Sequence, residues 1–212
     1  LHGLPASLED IYANILRSIP EEDRSFIRRA LLWLTFARRP LTLVELNEAI
    51  VMEHNQMDID ENDRICREEM VLESCQGLVD CYDGLVSLAH SSVETFLTTS
   101  NFRSLEVASF GLKLDDGDRI LMRECLQYLS MAPFTSGYLE KDEELRKTCK
   151  QYPLLKYAAL SWASHAGRFQ PNQEDKAIIM GFLQTCRLPR GGNHSAWVRV
   201  YVLNMESSDL TP

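Results

Sequence analysis

Three patterns in the sequence predict a mainly α-helical fold interrupted by one two-stranded β-hairpin. Apolar residues recur at helical spacing along most of the chain, beginning with Leu8, Ile11, Tyr12, Ile15, Leu16 and Ile19. Around Asp83-Gly84 the period switches from helical to alternating. Between the periodic runs stand prolines and Ser/Thr-x-x-Glu pairs, which stop one helix and start the next.

The six apolar residues just named share one face of a helix over 7–19, with Ser7 as its N-cap. Pro20 ends that helix and can open the second, because a first-turn residue needs no N–H. Glu21, Glu22 and Asp23 then lie in the first turn and Arg38 and Arg39 in the last, the polarity a helix dipole favours. The face expected to be buried holds Phe26, Ala30, Trp33, Leu34 and Ala37. Pro40 breaks the chain again. Thr42 and Glu45 form a capping box, with Leu41 and Leu46 at staple spacing, and open a short helix over 43–52. The acidic stretch 54–63 reads as a loop. A helix over about 65–76 carries Val71, Leu72 and Cys75, and Gly77 closes it.

Leu78 to Tyr82 and Leu85 to Ala89 flank Asp83-Gly84, a two-residue hairpin turn. That turn sets Val79 opposite Leu88 and Cys81 opposite Val86 on an apolar face, with Asp80 opposite Ser87 on the other. Ser91 and Glu94 make a second capping box, ahead of a helix with Val93, Phe96 and Leu97. Three helices followed by a hairpin make a winged helix with a two-stranded β-hairpin wing, a member of the helix-turn-helix group. The stretch 101–117 is less regular, with room for a short helix before an Asp-rich turn. From about 118 the chain reads as an α-helical bundle or superhelical segment. Its helices carry Leu121, Met122, Cys125, Leu126 and Leu129; a charged face at 140–150; Leu154, Tyr157, Ala158 and Trp162 after Pro153; a run over 172–186; and Trp197, Val200 and Tyr201 over 194–204. Residues 189–193 between the last two form a turn.

Composition narrows the function. The 212 residues are 45% hydrophobic and 25% charged, which excludes disorder over most of the length. The longest apolar runs are only a few residues, which excludes a helical membrane span. The net charge is −9, and much of it collects between Glu45 and Glu73, where Arg64 and Arg67 are the basic residues. Such a chain repels phosphate backbones, so neither nucleic acid nor membrane is an expected partner. None of the six cysteines forms a C-x-x-C pair; several sit in apolar patterns and read as small core residues of a reducing compartment, with no metal site. The chain opens on Leu1 without a charged-then-apolar leader and reads as a section of a longer cytoplasmic protein. There is no G-x-x-x-x-G-K-[ST], G-x-S-x-G or H-E-x-x-H motif, so the section is expected to be no enzyme, with no catalytic residues or cofactor of its own.

Several segments resemble a known family. Leu32 to Leu41 with Glu45-Leu46, and Leu88 to Val93 with Phe96-Leu97, resemble the winged-helix module, of the GPI inositol-deacylase type, found in fungal NACHT–ankyrin proteins. Leu4-Pro5, Leu8, Tyr12 and Ile15-Leu16 resemble the linker helix leaving a NACHT ATPase core. Cys125 to Leu129, and Tyr152 to Ala159 with Trp162 and His165, resemble the helical segment before ankyrin repeats; Leu210-Thr211-Pro212 resembles the lead-in to a first repeat. The resemblance implies four parts: a linker helix from the NTPase core at 1–19, a winged-helix domain at 20–100, a helical domain at 101–206, and the repeat lead-in at 207–212. It implies regulation, as in NOD-like receptors, which are STAND NTPases. Their winged helix packs on the NACHT core and holds the ADP state, and exchange to ATP releases it. In fungi such proteins are associated with self/non-self recognition and programmed cell death, the setting of heterokaryon incompatibility and innate immunity. The implied partners are an intramolecular NACHT domain and C-terminal ankyrin repeats, and the implied cofactor is ADP or ATP held by the NACHT domain.

His90 is the candidate nucleotide-sensing residue. It stands where a strand ends and a capped helix begins, a position that favours anions. In the receptor family a Met-His-Asp histidine at the matching place touches the ADP β-phosphate; here the triplet is Ala89-His90-Ser91. The alternative is a histidine satisfied by local hydrogen bonds or helping to cap. Ser91, Trp33, Arg38 and Arg39 are interface candidates, weighed against core packing for Trp33 and Trp162 and against a solvated helix end for Arg28, Arg29, Arg38 and Arg39. Two other functions stand beside regulation. One is a passive helical scaffold. The other is a DNA-binding winged helix, disfavoured because Glu68, Glu69 and Glu73 line the helix that would enter the groove.

Overall fold

The structure is a computed structural model that describes residues 6–52, 72–75, 77–99, 107–135 and 141–208. It divides into two compact units. The first holds residues up to Val51 and Asp60–Gly117, the second Met52–Ile59 and Asp118–Pro212. The expected acidic loop at 54–63, most of the expected helix at 65–76, Cys66 and the segment 210–212 lie outside the described residues.

The first unit opens with helix α1, Ala6–Ser18. Tyr12, Ala13 and Leu16, with Ile19 just beyond, are its buried stripe, whereas Ile11 is 54% exposed at the rim. A 3₁₀ turn at Glu21–Asp23 leads into α2, Arg24–Phe36. This helix ends earlier than the expected Arg38-Arg39. Phe36 is the residue whose carbonyl the Pro40 ring would strike if the helix continued, and Ala37 already leaves the helical region at ψ 143. Its buried residues are Phe26, Ile27, Ala30, Leu31, Leu32, Trp33 and Phe36, while Leu34 and Ala37 are half-buried. Each large side chain fully buried here contributes about 1.5–3 kcal/mol.

Strand β1, Leu41–Thr42, runs directly into α3, Leu43–Val51. The expected capping box forms. The Glu45 amide donates to Thr42 Oγ1 at 3.2 Å, and the Thr42 amide donates to Glu45 Oε2 at 2.9 Å. Residues 72–74 are helical, and Gly77 has φ 78, the left-handed region expected of it. Strands β2, Val79–Tyr82, and β3, Leu85–Leu88, pair in the expected register, with Val79 opposite Leu88 and Cys81 opposite Val86. Asp83 and Gly84 both have positive φ, 51 and 74, as a two-residue hairpin turn matched to strand twist requires.

The structure adds one strand to this unit and corrects one expectation. Beside the two-stranded hairpin, β1 pairs antiparallel with β3, Leu41 opposite Val86, to give a sheet of order β1-β3-β2. A two-residue strand carries no alternation to detect, and here β3 needs a neighbour on its second edge. Cys81 is exposed rather than in the core, because only Val79 and Val86 of the apolar face are buried while Leu88 is half-buried. The order helix, strand, helix, helical turn, hairpin is that of a winged helix.

Helix α4, Ser91–Thr98, and a 3₁₀ turn at Ala108–Phe110 follow. Helix α5, Leu114–Leu129, starts four residues before the expected 118. Asp115 and Asp116 form its first turn, where the helix dipole favours them, rather than a turn before it. A Cβ at Gly117 would collide with the Phe36 ring. In the second unit, α6 is Asp142–Gln151, α7 Leu154–Ala166, α8 Gln173–Gln184 and α9 Gly192–Ser208. As expected, α6 is charged and buries only Leu145. Helix α9 packs on α6, α7 and α8. Trp162, Phe182 and Trp197 meet edge to face at centroid distances of 5.5–6.1 Å, each pair adding about 1 kcal/mol beyond burial. Buried Asn193 donates from Nδ2 to the carbonyls of Leu129 (2.9 Å) and Met131 (3.1 Å).

Candidate functional site

His90 occupies the joint between β3 and α4. Its backbone is extended (φ −156, ψ 151), and its ring, not Ser91, caps the helix. The expected Ser91–Glu94 box is replaced by a single cap from His90, one residue upstream. Nδ1 accepts from the Ser92 amide at 3.1 Å and lies 2.7 Å from Ser92 Oγ. Ser92 Oγ is in turn 2.7 Å from the Tyr12 hydroxyl, a contact buried between α1 and α4. The Tyr12 ring also packs on Phe96, with centroids 5.4 Å apart. His90 and Ser91 are exposed, and Nε2 has no partner among the described residues. Local hydrogen bonding at one ring nitrogen and none at the other, among the described residues, thus coexist in one exposed side chain. The helix N-terminus beside it adds partial positive charge.

The other candidates separate. Arg39 grips Glu45 through both carboxylate oxygens, at 2.8 and 2.6 Å. Burial pushes the Glu45 carboxyl up, but the Arg39 fork and the Thr42 bonds outweigh it and hold it below its ordinary range. Arg39 therefore stabilises the start of α3 and is still 39% exposed. Arg38 is half-buried. Trp33 is fully buried and has no surface to offer a partner, so its role is packing in the first unit. Trp162 belongs to the aromatic cluster of the second.

Two polar clusters escaped the sequence reading. His165 is fully buried, with Nδ1 2.6 Å from Asp118 Oδ1 and Nε2 2.9 Å from the Tyr157 hydroxyl. The order Asp-His-hydroxyl has the outline of a nucleophile triad. The histidine is sealed from solvent, so the arrangement is an internal strut rather than a place for substrate. Tyr157 and His165 lie eight residues apart on α7, a spacing that hints at one side of a helix; Asp118 comes from α5 and left no local signal. The second cluster centres on Asp175, which accepts from Arg119 Nε at 3.0 Å, Arg123 Nε at 2.8 Å and the Asn172 amide at 2.9 Å. It completes a capping box at the start of α8. The Asn172-x-x-Asp175 spacing was the available signal. Among the described residues, no group of three or more His, Cys, Asp or Glu is placed to hold a metal, and no helix is long and apolar enough to cross a membrane.

Comparison with known proteins agrees with the first unit's architecture. Residues 18–110 match the family model described as GPI inositol-deacylase, winged helix domain. Over 98% of its length the chain is 25% identical to "Azaphilone pigments biosynthesis cluster protein L" of the fungus Monascus ruber, in an alignment of 217 residues. The chain spans 44% of that protein's length. No solved structure matches.

Proposed function

We propose that this winged helix and its helical companion form a non-catalytic regulatory section of a NOD-like STAND NTPase. In this reading the winged helix packs on a NACHT core and holds its ADP-bound inactive state. The helical segment connects that core to C-terminal repeats. The observation that carries the proposal is the seat of His90. Its ring is pinned through Nδ1 at the start of α4, the residue is exposed, and Nε2 has no partner among the described residues. A ring so held can meet a phosphate at little entropic cost. The family match over 18–110 supports the winged-helix half of the reading. The Monascus protein's name associates it with a biosynthetic cluster, and a regulatory section is compatible with that association.

Calorimetric titration of a separately expressed NACHT module into this chain tests the proposal, first with ADP and then with a non-hydrolysable ATP analogue. The expected result is binding with ADP, at least tenfold weaker with the ATP analogue, and weakened comparably by His90→Ala. Equal binding in both states, or none, would leave the chain a spacer. The DNA-binding alternative predicts retention on duplex DNA at low salt, which Glu73, exposed beside the hairpin, opposes.

A further inference from the structure

We propose that Tyr12 and Ser92 are positioning residues that fix the proton of His90 on Nε2, and so link the seat of α1 to the donor that His90 presents; the inference rests on the nucleotide-sensing reading above. The Ser92 amide points at Nδ1, and an N–H can point there only if that nitrogen bears a lone pair. Ser92 Oγ, 2.7 Å from the same nitrogen, must then donate to it as well. With its hydrogen committed, Oγ accepts from the Tyr12 hydroxyl at 2.7 Å. The chain of donors therefore runs in one direction, from Tyr12 through Ser92 to Nδ1. A neutral imidazole whose Nδ1 accepts carries its hydrogen on Nε2, the other ring nitrogen. That is the form able to donate to a phosphate oxygen.

The relay is protected. Tyr12 is 6% exposed and Ser92 8%, so water does not replace either hydroxyl. Tyr12 is held by Phe96 of α4 and by the burial of Leu16 on α1 and of Ile19 just beyond it. If α1 moves off α4, Ser92 Oγ loses its donor. Only the Ser92 amide then opposes the reversed arrangement, in which Nδ1–H donates to Oγ and Nε2 becomes an acceptor. The element before the winged helix would thus bias whether His90 offers an anion a hydrogen or a lone pair.

The test is long-range proton–nitrogen NMR of the His90 ring in the whole chain, with no nucleotide or partner present. Wild type is expected to show the Nε2–H form. Tyr12→Phe keeps the ring on Phe96 but removes the hydroxyl, and is expected to raise the ratio of Nδ1–H to Nε2–H about fivefold, the worth of one neutral hydrogen bond. In a Ser92→Ala background the same Tyr12→Phe change should leave the ratio alone, because the relay is already cut. A wild-type Nδ1–H form overturns the proposal whether or not any variant folds. So does an unchanged ratio in Tyr12→Phe, or an equal shift with Ser92 absent. Because the measurement needs no nucleotide, its failure is distinct from failure of the ADP-dependent docking.

Discussion

Replacing Asp175 by Ala tests how the second unit is held together. The carboxylate is fully buried and takes charge-assisted bonds from Arg119 and Arg123 as well as the Asn172 amide. Two such bonds, at about 1.5–3 kcal/mol each, set an upper range of about 3–6 kcal/mol. The arginine side chains are 25% and 29% exposed, so they hydrate once the carboxylate is gone and recover part of that loss. Losing half of the α8 capping box adds about 1 kcal/mol. The net expectation is about 3 kcal/mol, read from urea denaturation followed by circular dichroism. The loss should also depend on pH. Burial pushes the Asp175 carboxyl up, but the Asn172 amide, Arg123 and Arg119 outweigh it and hold it below the ordinary 3.8. A depressed folded value stabilises above the unfolded pKa and is lost as pH falls through the folded one. The difference between wild type and variant should hold constant from pH 7 to about 5 and shrink below pH 4. A loss under about 1 kcal/mol at pH 7, or one equally large at pH 2.5, would refute the argument from a paired buried charge.

Gly117→Ala drives a Cβ into the Phe36 ring and should lower stability by about 1–3 kcal/mol in thermal denaturation. Gly84→Ala meets no atom within 4 Å, so its penalty should be the backbone term alone, about 1 kcal/mol, with Gly84→Asn milder. Thiol labelling at pH 8, read by mass spectrometry, should modify exposed Cys81 and Cys186 within minutes. Cys75, pushed up to about 12 by burial, and Cys125, raised well above its ordinary value by burial and the nearby Glu124 carboxylate, should react only on unfolding.

Features written within a few residues were legible in the sequence. The Asp83-Gly84 turn with alternation on both sides yields the hairpin register, and Thr42-x-x-Glu45 yields its cap, because turn geometry and capping depend on neighbours. Pro40 and Pro153 mark their breaks for the same reason. What was not legible depends on distant residues. Leu41–Thr42 becomes a strand only because β3 lies beside it. His90 displaces Ser91 as cap because its ring reaches forward to the Ser92 amide, and that arrangement is completed by the Tyr12 hydroxyl, 80 residues from Ser92. Ile11 has the spacing of a core residue, yet the buried stripe of α1 is narrower than its apolar face. The Asp118–His165 and Arg119–Asp175 pairs join partners 47 and 56 residues apart, and no local pattern announces them.

Asn193 has a consequence for how the second unit is made in time. The Leu129 and Met131 carbonyls that its amide satisfies belong to residues translated 64 and 62 positions earlier. At about 5–20 residues per second, those acceptors leave the ribosome roughly 3–13 seconds before their donor does. Until then the end of α5 must stay open to water, since closing over two unpaired carbonyls would cost about 1–3 kcal/mol each. Helix α9 is therefore also the latch of α5, and a nascent chain stalled before it would expose the Leu129–Met131 corner to any chaperone that recognises unfinished folds.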